Sequence, residues 1–222
     1  MIDNQNILDA KHITLVTSNN SFANASALYT YILTQHKKVS IVSNEEIDIK
    51  YKFLPWFDKI RKVSPSSSDY TIVVDEDVKE LYLFLSTFKI NKKMALALYT
   101  ALCDRYKFFT SDSCDGTEFA LATKLIELGA DFKLVNNALQ NSLGLNFLRL
   151  KSYMLKDMLL VEDANVANLF VDEKLLKLCG ADEKDAFLVM EEVLRLKRVS
   201  KVTLIRKEDD KIVKTLSKGY IN

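Results

Sequence analysis

The sequence predicts an α/β protein with an N-terminal parallel-sheet lobe, a connecting helix and a smaller α/β C-terminal lobe. Two observations carry this. Short apolar runs alternate with segments of helical period over residues 13–75, and strand, helix, helix and two strands follow from about residue 165. At 222 residues and 48% hydrophobic content the chain can bury a core in one large domain or two small ones.

ITLVT (13–17) reads as a buried strand after a helix-like lead. A polar stretch, SNNSFANAS (18–26), runs into the helical pattern of Leu28, Tyr31, Ile32 and Gln35, and VSIVS (39–43) is the second strand. A strand, helix, strand order requires a parallel pair. SPSSSD (64–69) is a loop, and TIVV (71–74) is a third strand ending at Asp75. Helices are expected over 77–88, 92–106, 117–128 and 131–140, with Asn91 and Thr117 as N-caps and Gly129 as a C-cap. The period of Leu145, Leu148, Tyr153 and Leu155 predicts one long connecting helix. Beyond it come a strand (165–171), helices (172–179 and 182–197) and strands (199–206 and 211–216), with KEDDK (207–211) as the hairpin turn. This gives an N-terminal lobe over 1–142, the connecting helix over 143–157 and a C-terminal lobe over 158–222.

The net charge of +1 supplies no global attraction to nucleic acid or membrane. No apolar run reaches the roughly 18 residues of a membrane span, and MIDNQNILDAKH lacks the form of a secretory signal. Cys103, Cys114 and Cys179 form no CxxC pair, which fits reduced thiols and a cytoplasmic location. His12, before the first strand, and His36, in a QHKK turn, are expected at the surface. Residues 158–192 carry 9 acidic and 3 basic side chains, whereas residues 195–218 carry 9 basic and 3 acidic. The basic final hairpin is expected to be balanced by the acidic helices.

The segment ALYTALCDRYKFFTSDSCDGTEFALATKLIELGAD (97–131) resembles the DHH phosphoesterases, in particular the nanoRNase/pAp-phosphatase branch. ALYTYILTQHKKVSIV (27–42), FLPWFDKI (53–60) and TIVVD (71–75) fit the same family in the same order. LLKLCGADEKDAFLVMEEVLRLKRVSKVTLIRKEDD (175–210) and SKGYIN (217–222) are similar to its DHH-associated C-terminal domain, here in a shortened form. The resemblance implies hydrolysis of phosphoesters in short oligonucleotides or pAp by a pair of Mn²⁺ ions, held by carboxylates and imidazoles from four motifs.

Those motifs are largely missing. The first calls for a His and two Asp at the end of the first strand, where TSNNSFANAS (17–26) has no ionisable ligand; Asn20 alone matches the pattern, and Phe22 and Asn24 fall where carboxylates belong. Asp75 occupies the second. EDVKELYLFLSTFK (76–89) contains no His for the Asp-His-His of the third. In the fourth, CDRYKFF (103–109), counting puts Arg105 at the ligand position and Asp104 one residue early, a rotation of about 100° on a helix. The family's phosphate-gripping arginine is replaced within KTLSKGYIN (214–222), leaving Ser217 and Lys218 as substrate-binding candidates.

No catalytic residue is expected, Asp75, as a vestigial ligand, and Asp104 are the metal-ligand candidates, and no cofactor is expected unless the family's Mn²⁺ activity survives. The leading expectation is a non-catalytic homologue that binds a nucleotide-like ligand, a short oligonucleotide or a protein partner, including a homo- or hetero-oligomer with a family member, away from membranes. One alternative is an active Mn²⁺ phosphoesterase rebuilt from Asp75, Asp104, Asp112 and Asp115. The other is a shortened product with no independent role.

Overall fold

The computed structural model describes residues 2–140, 144–208 and 211–219. Residues 141–143 of the expected boundary, 209–210 of the expected turn and 220–222 of the SKGYIN segment lie outside the described residues. The chain divides into two compact units, Met1–Ser142 and Leu143–Asn222.

In the first unit, α1 (Asn4–Asp9) leads into β1 (His12–Val16), and α2 (Phe22–Thr34) carries the chain over to β2 (Lys38–Val42). β1 pairs in parallel with β2, placing Ile13 beside Val39 and Leu15 beside Ile41. A two-residue strand, β3 (Ile60–Arg61), extends the sheet beyond β2, and β4 (Tyr70–Val73) pairs in parallel with the other side of β1. The order is therefore β3-β2-β1-β4.

α2 is buried from Phe22 to Ile32, the pattern of a helix covered on all sides, and it packs on α4 (Lys92–Arg105). Asn91 caps α4, its Oδ1 accepting from Lys93 N at 3.0 Å and Met94 N at 3.1 Å. α3 (Val78–Ser86), α5 (Gly116–Glu127) and α6 (Phe132–Gln140) complete the unit. Its centre is formed by Ile13, Leu15, Leu28, Ile41, Leu98 and Leu102, all fully buried. Trp56 packs here too, its ring stacked on Tyr29 with centroids 4.9 Å apart.

In the second unit, α7 (Leu145–Lys156) buries Phe147, Leu150 and Met154 against β6 (Val166–Val171), α8 (Glu173–Cys179) and α9 (Glu183–Val193). Its sheet has the order β5-β6-β7-β8, with β5 spanning Leu159–Val161, β7 Lys201–Glu208 and β8 Lys211–Gly219. The β6–β7 pair is parallel and the two outer pairs are antiparallel.

Three local expectations are corrected. Thr117 is not an N-cap: Asp115 holds that place, accepting from Thr117 N at 2.7 Å, while Glu118 Oε2 accepts from Asp115 N in a capping box. A carboxylate three residues before Glu118 offers the reciprocal bonds that the Thr117 hydroxyl cannot. Gly129 ends α5 as expected, just after Leu128, at φ 97° and with Ala130 N donating back to Leu125 O at 3.0 Å. α9 stops at Val193, short of residue 197, because residues 194–199 turn so that Ser200 N meets Asn165 O at 2.9 Å and starts β7. His12 is 3% exposed instead of lying at the surface: its ring nitrogens meet Ser67 Oγ and Ser40 Oγ, each at 2.9 Å.

Candidate functional site

The chain leaves the carboxyl end of β1 toward β2 while β4 lies on the opposite side, and open α/β sheets bind ligands at such a reversal. A cleft of about 390 Å³ opens there, within the size range of small-molecule sites. Ser18, Asn20, Ser21 and Asn24 line it from the β1–α2 segment, Asp75 and Glu76 from the end of β4, and Asp104 and Arg105 from the last turn of α4.

The β1–α2 loop is tied to itself. Ser21 Oγ accepts from Ser18 N at 3.0 Å and lies 2.9 Å from Thr17 Oγ1, while Asn19 Oδ1 accepts from Asp48 N at 2.8 Å. Hydroxyls and amides, with the Glu45 carboxylate accepting from Asn19 N, thus shape this loop. Asn24 is 7% exposed and its Nδ2 donates to Glu76 O at 2.9 Å, joining the start of α2 to the end of β4.

Both oxygens of Asp104 are engaged. Lys50 Nζ donates to Oδ1 at 2.8 Å and the Tyr51 hydroxyl to Oδ2 at 2.5 Å. Burial, with the Asp104 carboxylate beside it, drives the Tyr51 hydroxyl far above its ordinary pKa, so it remains a donor. Burial also pushes the neighbouring Cys103 thiol up to about 11, which makes it an inert packing group. Arg105 turns to Asp77 in an ion pair, with its Nε 2.8 Å from Oδ2. Asp75 is exposed and Glu76 is half-buried; among the described residues Asp75 has no ion pair and Glu76 Oε2 has no hydrogen-bond partner.

Of the carboxylates read from the sequence, Asp75 and Asp104 line this cleft together. Asp112 is exposed and Asp115 caps α5; neither is among the lining residues. No group of three or more His, Cys, Asp or Glu side chains able to hold a metal ion occurs among the described residues. In the second unit, Lys218 Nζ meets Glu191 Oε1 at 2.5 Å, Ser217 Oγ lies 3.2 Å from Thr203 Oγ1, and Arg206 pairs with Glu183. The basic strands are thus partly balanced by α9. Lys50, Tyr51 and Glu76 were not foreseen as parts of the site. Lys50 and Tyr51 precede Asp104 by about fifty residues, and only the fold brings them together.

No family model and no curated protein matches the chain. Among solved structures, an exopolyphosphatase-related protein from Bacteroides fragilis aligns over 94% of this chain and 79% of its own, with a TM-score of 0.76 and 15% identity. A putative family II inorganic pyrophosphatase from Methanococcus jannaschii aligns over 89% of this chain and 84% of its own, with a TM-score of 0.42 and 13% identity. Among the described residues no helix is long and apolar enough to cross a membrane. The chain shares the α/β fold of the exopolyphosphatase-related protein, with an all-parallel sheet in its first unit and a mixed sheet in its second.

Proposed function

We propose that the chain is a DHH-type phosphoesterase homologue that has given up hydrolysis and acts by binding a nucleotide-like ligand or a protein partner at the cleft on β1 and β4. The observation that carries this reading is the engagement of Asp104 by Lys50 and Tyr51. An ammonium already neutralises the one carboxylate that α4 offers, and the next side chain, Arg105, is itself a cation. The β1–α2 loop adds only hydroxyls and amides, leaving Asp75 and Glu76 as the remaining anions. Two divalent ions a few ångströms apart require more oxygen and imidazole donors than this set supplies, so the residues present do not fit the pair of Mn²⁺ ions that the family resemblance implies. Three free cysteines, two of them buried, support a cytoplasmic setting.

The test is an assay of the purified chain with Mn²⁺ against short oligoribonucleotides and pAp. The expected result is turnover no higher than that of Asp75→Ala. Robust hydrolysis that Asp75→Ala abolishes would overturn the reading. A second reading, an active phosphoesterase with a rebuilt site, draws support from Asp75 and Asp104 lining one cleft. It requires Asp104 to leave Lys50 and Tyr51, and so predicts that Lys50→Met raises the Mn²⁺-dependent rate.

A further inference from the structure

The charges of the cleft are unbalanced in a direction that a phosphate does not correct. Its ionisable lining groups are Asp75, Glu76, Asp104 and Arg105. Asp104 is neutralised by Lys50 and Arg105 by Asp77. That leaves Asp75 and Glu76 without an ion pair among the described residues.

Two buried oxygen atoms sharpen the imbalance. Among the described residues Glu76 Oε2 has no hydrogen-bond partner, and neither has Oδ1 of Asn24, a cleft-lining residue only 7% exposed. The Asn24 amide is fixed by its Nδ2, which donates to Glu76 O at 2.9 Å, so the carbonyl oxygen is its unsatisfied end. Acceptors taken out of water without a donor lose hydration and gain nothing in exchange. Glu76 and Asn24 therefore each lack a donor for a buried oxygen, and Glu76 and the exposed Asp75 both lack a partner of positive charge among the described residues.

We infer that, given a binding role, the cleft takes a protonated alkyl amine whose ammonium is held by Asp75, Glu76 and Asn24. An ammonium carries three donors and no acceptor, which complements acceptor-only groups. The chain contains the same solution one step away, where the Lys50 ammonium and the Tyr51 hydroxyl satisfy Asp104. An approaching phosphate instead meets two unpaired carboxylates, and the guanidinium that would attract it is already engaged by Asp77. Of the ligand classes open to a binding protein, the charges favour an amine over a nucleotide. The amine is either a free polyamine or a lysine side chain of a protein, since both present the same group.

The proposal is tested on the full chain by isothermal titration and thermal shift, with spermidine, the peptide acetyl-Gly-Lys-Gly-amide, AMP and MnCl2 as separate probes. Spermidine or the peptide is expected to bind and to raise the melting temperature by mass action. Asp75→Asn and Glu76→Gln should each weaken that binding about tenfold, the loss of one charged hydrogen bond. Asp75 is exposed, so its substitution leaves folding intact, and Asp112→Asn, away from the cleft, should change nothing. Binding of spermidine alone assigns the site to a free polyamine, and equal binding of the peptide assigns it to a protein lysine. Absence of amine binding, amine binding indifferent to both substitutions, or preferential binding of AMP or Mn²⁺ overturns the amine proposal while leaving a binding role in place. Mn²⁺-dependent hydrolysis of pAp overturns the binding role itself.

Discussion

Asp104 ends a helix whose preceding turn is packed into the core, and its carboxylate is 29% exposed beside a Lys50 side chain 21% exposed. A partly buried charged pair of this kind is costly to break from one side, because the remaining charge keeps its desolvation and loses its partner. Asp104→Asn is therefore expected to lower stability by about 1–3 kcal/mol in urea melts. Asp75→Asn, at an exposed position without an ion pair among the described residues, should stay within about 0.5 kcal/mol of the parent. The contrast separates a carboxylate used for folding from one available to a ligand. Glu118 provides a pH-dependent counterpart. Lys79, followed by the backbone N–H of Asp115, holds its carboxyl down at about 2 from an ordinary 4.5. A folded-state value below the unfolded one means that its contribution is fully present above about 4.5 and is lost as pH falls towards 2. The melting temperature should drop across that window, and Glu118→Gln should flatten the drop. Neither pairing was legible in the sequence, since Lys50 to Asp104 and Lys79 to Glu118 are long-range contacts with no periodic signature.

At the scale of elements, legibility followed length. β1 and β2 are long enough to show as apolar runs and the helices α2 to α7 to express a period of 3.6, and they occur where those signals place them. β3, with two residues, and β5, with three, are too short to show any period and exist only because a longer neighbour pairs with them. Turn geometry was equally hidden. Lys107, Phe108 and Phe109 after α4, and Glu162, Asp163 and Ala164 between β5 and β6, all have positive φ without a glycine among them. Left-handed backbone costs an L-residue roughly 1–2 kcal/mol, and glycine avoids that at the expense of a smaller chain entropy penalty. Ala164→Gly, at φ 68°, is therefore expected to raise stability by about 0.5–1 kcal/mol. Ala101→Gly within α4 should lower it by about 1 kcal/mol or more, as a buried helix position loses a methyl group. Denaturant midpoints of the two variants should move in opposite directions.

For the molecule as a whole, the two units carry separate hydrophobic cores, one around Ile13, Leu28, Ile41 and Leu98 and the other around Leu150, Leu169, Val189 and Val202. The candidate cleft draws all its lining from the first unit. Ligand binding there should depend on the first core and be indifferent to moderate damage in the second. Leu150 is fully buried in the second core, and truncating such a leucine costs about 2–5 kcal/mol through lost transfer energy and the cavity left behind. In the full chain, Leu150→Ala is expected to speed amide hydrogen exchange in α7, α9 and β6 while leaving the protection of β1, β2 and α2 unchanged. Leu28→Ala should do the reverse and abolish binding at the cleft, because α2 carries Asn24 as well as Leu28. If Leu150→Ala loosened β1 and β2 equally, the two cores would be melting as one cooperative body. The cleft's dependence on its own unit would then fail with it, since exchange tracks the free energy of the smallest opening that exposes each amide.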